Sequence, residues 1–122
     1  MKLTRKQTQP VSKHGVNLWV YPIGREDAGL VYVEVAEGHF QEFYDKKSTF
    51  IYYIFEGQGT FYLNGKAIPV EATDLIVAPP KTKIYYFGEM KMTLMTVPAW
   101  KPENEVHVRY VEKYDTPSIS RK

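Results

Sequence analysis

The chain contains no cysteine, which removes disulfide frameworks, thiolate metal sites and cysteine nucleophiles together. Histidine is scarce as well: His14, His39 and His107 are the three present, and no pair has a spacing that projects two rings to one point. No acidic residue occurs among the first fourteen positions. No stretch approaches the roughly 20 apolar residues of a membrane span, and the N-terminus lacks an apolar run of signal-peptide length. These absences lead us to expect a soluble, cytoplasmic protein with no membrane partner. Helical periodicity is missing over every window of useful length.

What is present favours strands. Ten Tyr, six Phe and two Trp occur in 122 residues, and flat or β-branched side chains suit a pleated surface. This length fits one domain, large enough to bury roughly two thirds of its unfolded surface around a single core. The net charge of +2 is unevenly placed. Lys2, Arg5, Lys6 and Lys13 make residues 1–14 a basic arm, while residues 15–111 hold nine basic against twelve acidic side chains. Such a body neutralises phosphates poorly, and no aromatic interleaves with the charges of the arm, so no nucleic-acid partner is expected.

Apolar and polar residues alternate with period two in Val16–Val20, Leu30–Val35, His39–Tyr44, Thr49–Phe55, Thr60–Leu63, Met90–Val97 and Val106–Val111, predicting strands. Turn signals separate them, including Glu56–Gly59, Asn64-Gly65, Pro79–Thr82 and Gly88-Glu89. Asn64-Gly65 predicts a two-residue type I′ hairpin, because both residues tolerate positive φ. Short strands at close spacing indicate an all-β sandwich or barrel. Glu112–Lys122, with Pro117, reads as a loosely ordered tail.

The alternation, the Gly57-x-Gly59 turn, the Asn-Gly hairpin and Asp74-Leu-Ile-Val before Pro79-Pro80 together resemble the cupin superfamily. That resemblance implies a double-stranded β-helix, the cupin jelly-roll barrel, as one domain over residues 1–122. The first motif of that family, G-x5-H-x-H-x3-E-x6-G, is framed here by Gly38 and Gly57, but its ligand positions hold Tyr44, Lys46 and Phe50. The second, G-x5-P-x-G-x2-H-x3-N, matches at Pro79 and places Ile84 at its histidine. Phe50 and Ile84 offer no lone pairs and a protonated Lys46 opposes a cation. No metal centre and no cofactor are therefore expected. An alternative cluster of His39, Glu42 and His107 would need tertiary contact, since residues three apart face opposite sides of a regular strand.

The resemblance turns Phe50 and Ile84 inward, and period two brings Tyr52, Ile54 and Tyr86 with them. Tyr44 facing inward would carry Glu42 and Phe40, leaving His39, Gln41 and Phe43 on the other side unless a bulge near Gly38 reverses the strand. Tyr44, Tyr52, Tyr86, Glu42 and His39 are accordingly candidates for holding a small polar ligand, with Glu34 and Arg109 as outlying ones that could pair with each other or meet a ligand. Outward Tyr53, Phe55 and Tyr85 need cover, which a second protomer would supply, with Trp100 as an anchor; a homodimer is expected. Three functions remain open. The first is a metal-independent binder of a small molecule such as a carbohydrate. The second is a metal-independent sugar or nucleotide-sugar epimerase or isomerase using a carboxylate-oriented histidine, and the third a metal-dependent cupin enzyme. The sequence leaves open whether the protein is an enzyme.

Overall fold

The computed structural model describes residues 1–112, and beyond Glu112 the expected tail lies outside them. Nine strands follow in chain order: β1 (Gln9–Lys13), β2 (Val16–Tyr21), β3 (Gly29–Val35), β4 (Gly38–Asp45), β5 (Thr49–Leu63), β6 (Lys66–Glu71), β7 (Leu75–Ala78), β8 (Ile84–Val97) and β9 (Glu105–Tyr110). Single 3₁₀ turns occupy Arg5–Gln7 and Pro102–Asn104. The pairing runs β1-β2-β3-β8-β4-β9, with β5 joined to β6, β7 and β8. Every pair is antiparallel. The result is the cupin jelly-roll barrel that the sequence resemblance implied.

β5 and β8 form the spine. They pair from Thr49↔Val97 to Leu63↔Ile84, with Phe55 the extra residue of a bulge between Ile54 and Glu56. One half of β8 pairs on its other edge with β3 and the other half with β4, so this ribbon belongs to both walls of the barrel. Two expected turns, Glu56–Gly59 and Gly88-Glu89, are thus replaced by continuous strand, and Thr49–Phe55 and Thr60–Leu63 are one element. The glycines serve a close crossing instead. Gly88 has φ +132°, and a Cβ there would sit 2.4 Å from the Gln58 carbonyl oxygen and the Gly59 Cα. Gly88→Ala combines a disfavoured backbone region with backbone overlap, and we expect a loss of at least about 2 kcal/mol in denaturant unfolding; an unchanged midpoint would contradict this reading of the crossing.

Three strands escaped the pattern. Residues 9–13, placed in the basic arm, form β1 and pair with β2 from Gln9↔Val20 to Lys13↔Val16. β6 contains Pro69 and, among the described residues, pairs only with β5, the edge position at which a missing N–H is tolerated. β7 reads as an unbroken apolar run because its outward Leu75 and Val77 are themselves hydrophobic, whereas Ile76 and Ala78 are buried. The Asn64-Gly65 hairpin forms as expected, with φ of 51° and 79° and Leu63 opposite Lys66.

Val33, Val35, Phe50, Tyr52, Ile54 and Ile84 all turn into the core. One end of the barrel is filled by Phe61, Val70, Met90 and Met92. Tyr85 departs from expectation: it is buried within its own chain, stacked on Tyr62 at 4.7 Å between centroids and packed with Phe87 and Val111. It needs no second protomer. Tyr53, Phe55, Leu75, Val77, Met95 and Val97 remain on the outside of the β5, β7 and β8 wall.

Candidate functional site

At the end of the barrel away from Phe61 and Met92 lies a cavity of about 270 Å³, walled mostly by aliphatic side chains such as Leu18, Val31 and Leu94. Its polar groups include His39, Tyr52 and Tyr86 deep inside, Thr96, and Lys13, Arg25, Trp100 and Glu105 toward the rim. A concave apolar space with convergent polar groups is the usual form of a small-molecule site, and this volume lies just below the roughly 300–1,000 Å³ usual for one.

β4 supplies His39, which faces inward opposite Tyr86. Between His39↔Tyr86 and Phe43↔Ile84 the strand advances four residues while β8 advances two. Because the slip is even on both strands, His39 and Phe43 share one face, and both stand on the cavity wall, the opposite of the facing that the motif frame gave. His39 is 5 % exposed. Its Nδ1 is 2.8 Å from the Gln41 carbonyl oxygen, and because a carbonyl can only accept, the bond places the proton on Nδ1 and leaves the Nε2 lone pair free. Burial is the largest cause pushing the imidazole down to about 3, opposed by the Gln41 hydrogen bond and assisted by His14 and Lys13. His39 is therefore a neutral base at ordinary pH.

Rings fix its surroundings. His39 lies 5.1 Å from Phe43 and 5.3 Å from Tyr86 by centroids. Tyr86 stacks on Phe61 at 4.6 Å and meets Tyr52 edge-on at 5.8 Å. Both tyrosines are buried, and neither hydroxyl bonds another described residue. Burial raises both hydroxyls above their ordinary range, Tyr52 with further contributions from Tyr86 and Glu105. They remain protonated donors beside an imidazole acceptor, which is the equipment of acid–base chemistry on an alcohol or carbon acid.

The structure thus brings together His39, Tyr52 and Tyr86 from the sequence-derived set and separates the other four. Glu42 faces away from the cavity and binds Arg109, Oε1 to Nε, at 2.9 Å; the guanidinium also covers Tyr85 at 5.5 Å. Arg109 accordingly pairs with Glu42 and not with Glu34. Glu34 accepts a 2.6 Å bond from the Tyr32 hydroxyl on the outer face, because Val31, Val33 and Val35 take the inner one. Tyr44, two residues from Glu42 on β4, does not line the cavity. His107 meets the Gln41 side chain, with Nδ1 2.9 Å from Nε2, and does not join Glu42 in a cluster. Lys13, Glu105 and Trp100 were not foreseen at the site, since Lys13 sat in the supposed arm and Trp100 suggested an interface.

The donor set does not fit the metal that the fold commonly holds. Phe50 and Ile84 occupy two ligand positions as buried core residues, and no three His, Asp or Glu side chains among the described residues stand close enough to hold an ion. No described helix is long and apolar enough to cross a membrane.

No family model matches the chain, and no curated protein sequence does either. Solved structures do. A structure of Pac13, described as a unique nucleoside dehydratase, is 44% identical, covers 96% of this chain and 98% of its own, and superposes with a TM-score of 0.91. A histidine-to-glutamine variant of Streptomyces Pac13 has been solved with uridine, at 44% identity, 95% and 97% coverage and TM-score 0.91; two tyrosine-to-phenylalanine variants of it have also been solved with uridine. An RmlC-like cupin from Shewanella frigidimarina, 14% identical over 83% of this chain and 92% of its own, gives a TM-score of 0.67 and supports the fold alone. The chain has the cupin barrel fold and, at 44% identity over nearly the whole of both chains, belongs to the family of Streptomyces Pac13.

Proposed function

We propose that this protein is a nucleoside dehydratase acting on a pyrimidine nucleoside held in the barrel cavity. The single observation that carries the reading is His39, buried, neutral and oriented with Nε2 free, beside two protonated tyrosine hydroxyls in a chain 44% identical to a nucleoside dehydratase. One histidine and two tyrosines are also the residue types altered in the Pac13 variants solved with uridine.

Dehydration removes a proton from one carbon and a hydroxyl group from its neighbour. In the proposed reaction the His39 Nε2 lone pair takes the carbon-bound proton, the C–H electron pair becomes the new C=C bond, and the C–O bond breaks. The imidazolium then returns its proton to the departing oxygen, and water leaves. A single base can perform both transfers when both groups lie on one face of the sugar. Tyr52 and Tyr86 donate hydrogen bonds to substrate oxygens, and the aliphatic wall limits water around the reacting atoms.

The epimerase reading has less support, since it requires a carboxylate to orient the histidine and His39 is oriented by the Gln41 carbonyl. Simple carbohydrate binding would need neither the free Nε2 nor its tuning. Titration with uridine, followed by assay of candidate nucleosides for loss of water, tests the proposal. Tyr52→Phe and Tyr86→Phe should each weaken uridine binding by up to about tenfold, the scale of one hydrogen bond. Thermal stability should hardly change, because neither hydroxyl bonds another described residue. Equal affinity in both variants would remove those hydroxyls from the site.

A further inference from the structure

We propose that His107 and the side chain of Gln41 are positioning residues that lock the tautomer of His39; the use of that tautomer as a base rests on the dehydratase reading above. His107 holds Gln41, and Gln41 holds the imidazole through its main-chain carbonyl. The Phe40 N–H and carbonyl are taken by the His14 carbonyl at 2.7 Å and by the Val111 N–H at 3.0 Å. Successive residues of a strand direct these groups to opposite edges, so the Gln41 carbonyl points toward β8. There the register shifts between His39↔Tyr86 and Phe43↔Ile84, and Gln41 has no register partner on β8. Its carbonyl accepts the His39 Nδ1–H at 2.8 Å.

An acceptor at an interrupted stretch of ladder needs another anchor, and the Gln41 side chain supplies it. Gln41 is 6 % exposed, and its Nε2 lies 2.9 Å from His107 Nδ1 on β9. An amide nitrogen can only donate, so His107 accepts through Nδ1 and carries its own proton on Nε2. The Gln41 Oε1 atom is buried and bonds no other described residue. A buried amide with an idle acceptor costs stability, and a methionine of similar length would bring no such cost. What the amide adds is a fixed bond between β4 and β9, two residues from the base. Ring contacts with His14, Phe43 and Tyr86 hold the plane of the imidazole, yet they do not distinguish its two tautomers. The hydrogen bond at Nδ1 does. When the Gln41 carbonyl drifts from Nδ1, the proton is free to move to Nε2, and the lone pair needed at the reacting carbon is lost. Neither Gln41 nor His107 lines the cavity, so both act through His39 and not by touching a nucleoside.

Nitrogen-15 NMR of the histidine-labelled full chain reads the His39 tautomer directly and without substrate. His107 is exposed, so its substitutions should fold as the intact protein does. In His107→Leu the His39 ring should become a mixture of both tautomers, and turnover should fall about tenfold, the scale found for groups that orient a functional histidine. Uridine affinity should stay within about threefold. His107→Asn should restore protonation at Nδ1 and most of the turnover, because the asparagine Oδ1 can accept the same bond. Gln41→Met should match His107→Leu, and the double variant should lose no more than either alone, since both break one link. A His39 ring that stays protonated at Nδ1 alone in both folded single variants would overturn the lock and leave the dehydratase reading standing. Equal loss of turnover in His107→Asn and His107→Leu would overturn it too. Mixed tautomers with undiminished turnover would leave the lock standing and overturn His39 as the base.

Discussion

Replacing His39 with glutamine should lower the rate of water loss from the nucleoside substrate by roughly a thousandfold, within the range attributed to a positioned acid–base group, while uridine affinity stays within about threefold. The substitution removes the free Nε2 and keeps a side-chain amide that can donate to the Gln41 carbonyl, where Nδ1 now bonds at 2.8 Å. A Pac13 variant with the same change of residue type was solved with uridine, so the loss should fall on turnover. Mass-spectrometric assay of turnover, with calorimetry on the same preparation, separates the two effects. Retention of even a tenth of the activity would remove His39 as the base.

The same imidazole should make stability fall with acid in a window where few other groups titrate. Folding holds His39 down at about 3 from its usual 6.5, so below pH 6.5 the unfolded chain takes up a proton that the native chain refuses. The stabilisation is complete above pH 6.5 and drains away as pH falls toward 3. At 1.36 kcal/mol per unit, this one group should cost about 2 kcal/mol between pH 7 and pH 5. His14, also lowered chiefly by burial, adds in the same direction. Urea unfolding at several pH values should show the wild type losing about 2 kcal/mol more than His39→Gln over that interval. Parallel pH dependences would mean that His39 is charged or solvated in the folded protein.

The fold was legible because strand period and turn chemistry are local. Val31, Val33 and Val35 alternate with Tyr32 and Glu34, and Asn64-Gly65 permits the positive φ of its hairpin. The long β5–β8 ribbon was not legible. Gly57, Gly59 and Gly88 look like turn residues, and only the tertiary crossing reveals that they are small because two backbones approach there. The site was half legible. Period two carried Tyr52 inward from Phe50 and Tyr86 from Ile84, and those steps hold. The motif frame failed on β4, where it set Tyr44 inward, whereas His39 and Phe43 oppose the inward Tyr86 and Ile84, so Glu42 and Tyr44 face away from the cavity. The irregularity between His39 and Phe43 advances both strands by an even number of residues and leaves that alternation intact. Lys13, Trp100 and Glu105 come from three distant segments, and nothing local announces that the ends of the strand path meet.

The most direct test of the account is a nitrogen-15 NMR titration of histidine-labelled protein with uridine. The His39 resonances should report a neutral ring protonated at Nδ1, and Nε2 should shift saturably as uridine fills the cavity. Saturable uridine binding that leaves His39 unmoved, or a His39 ring already protonated at both nitrogens at pH 7, would contradict it.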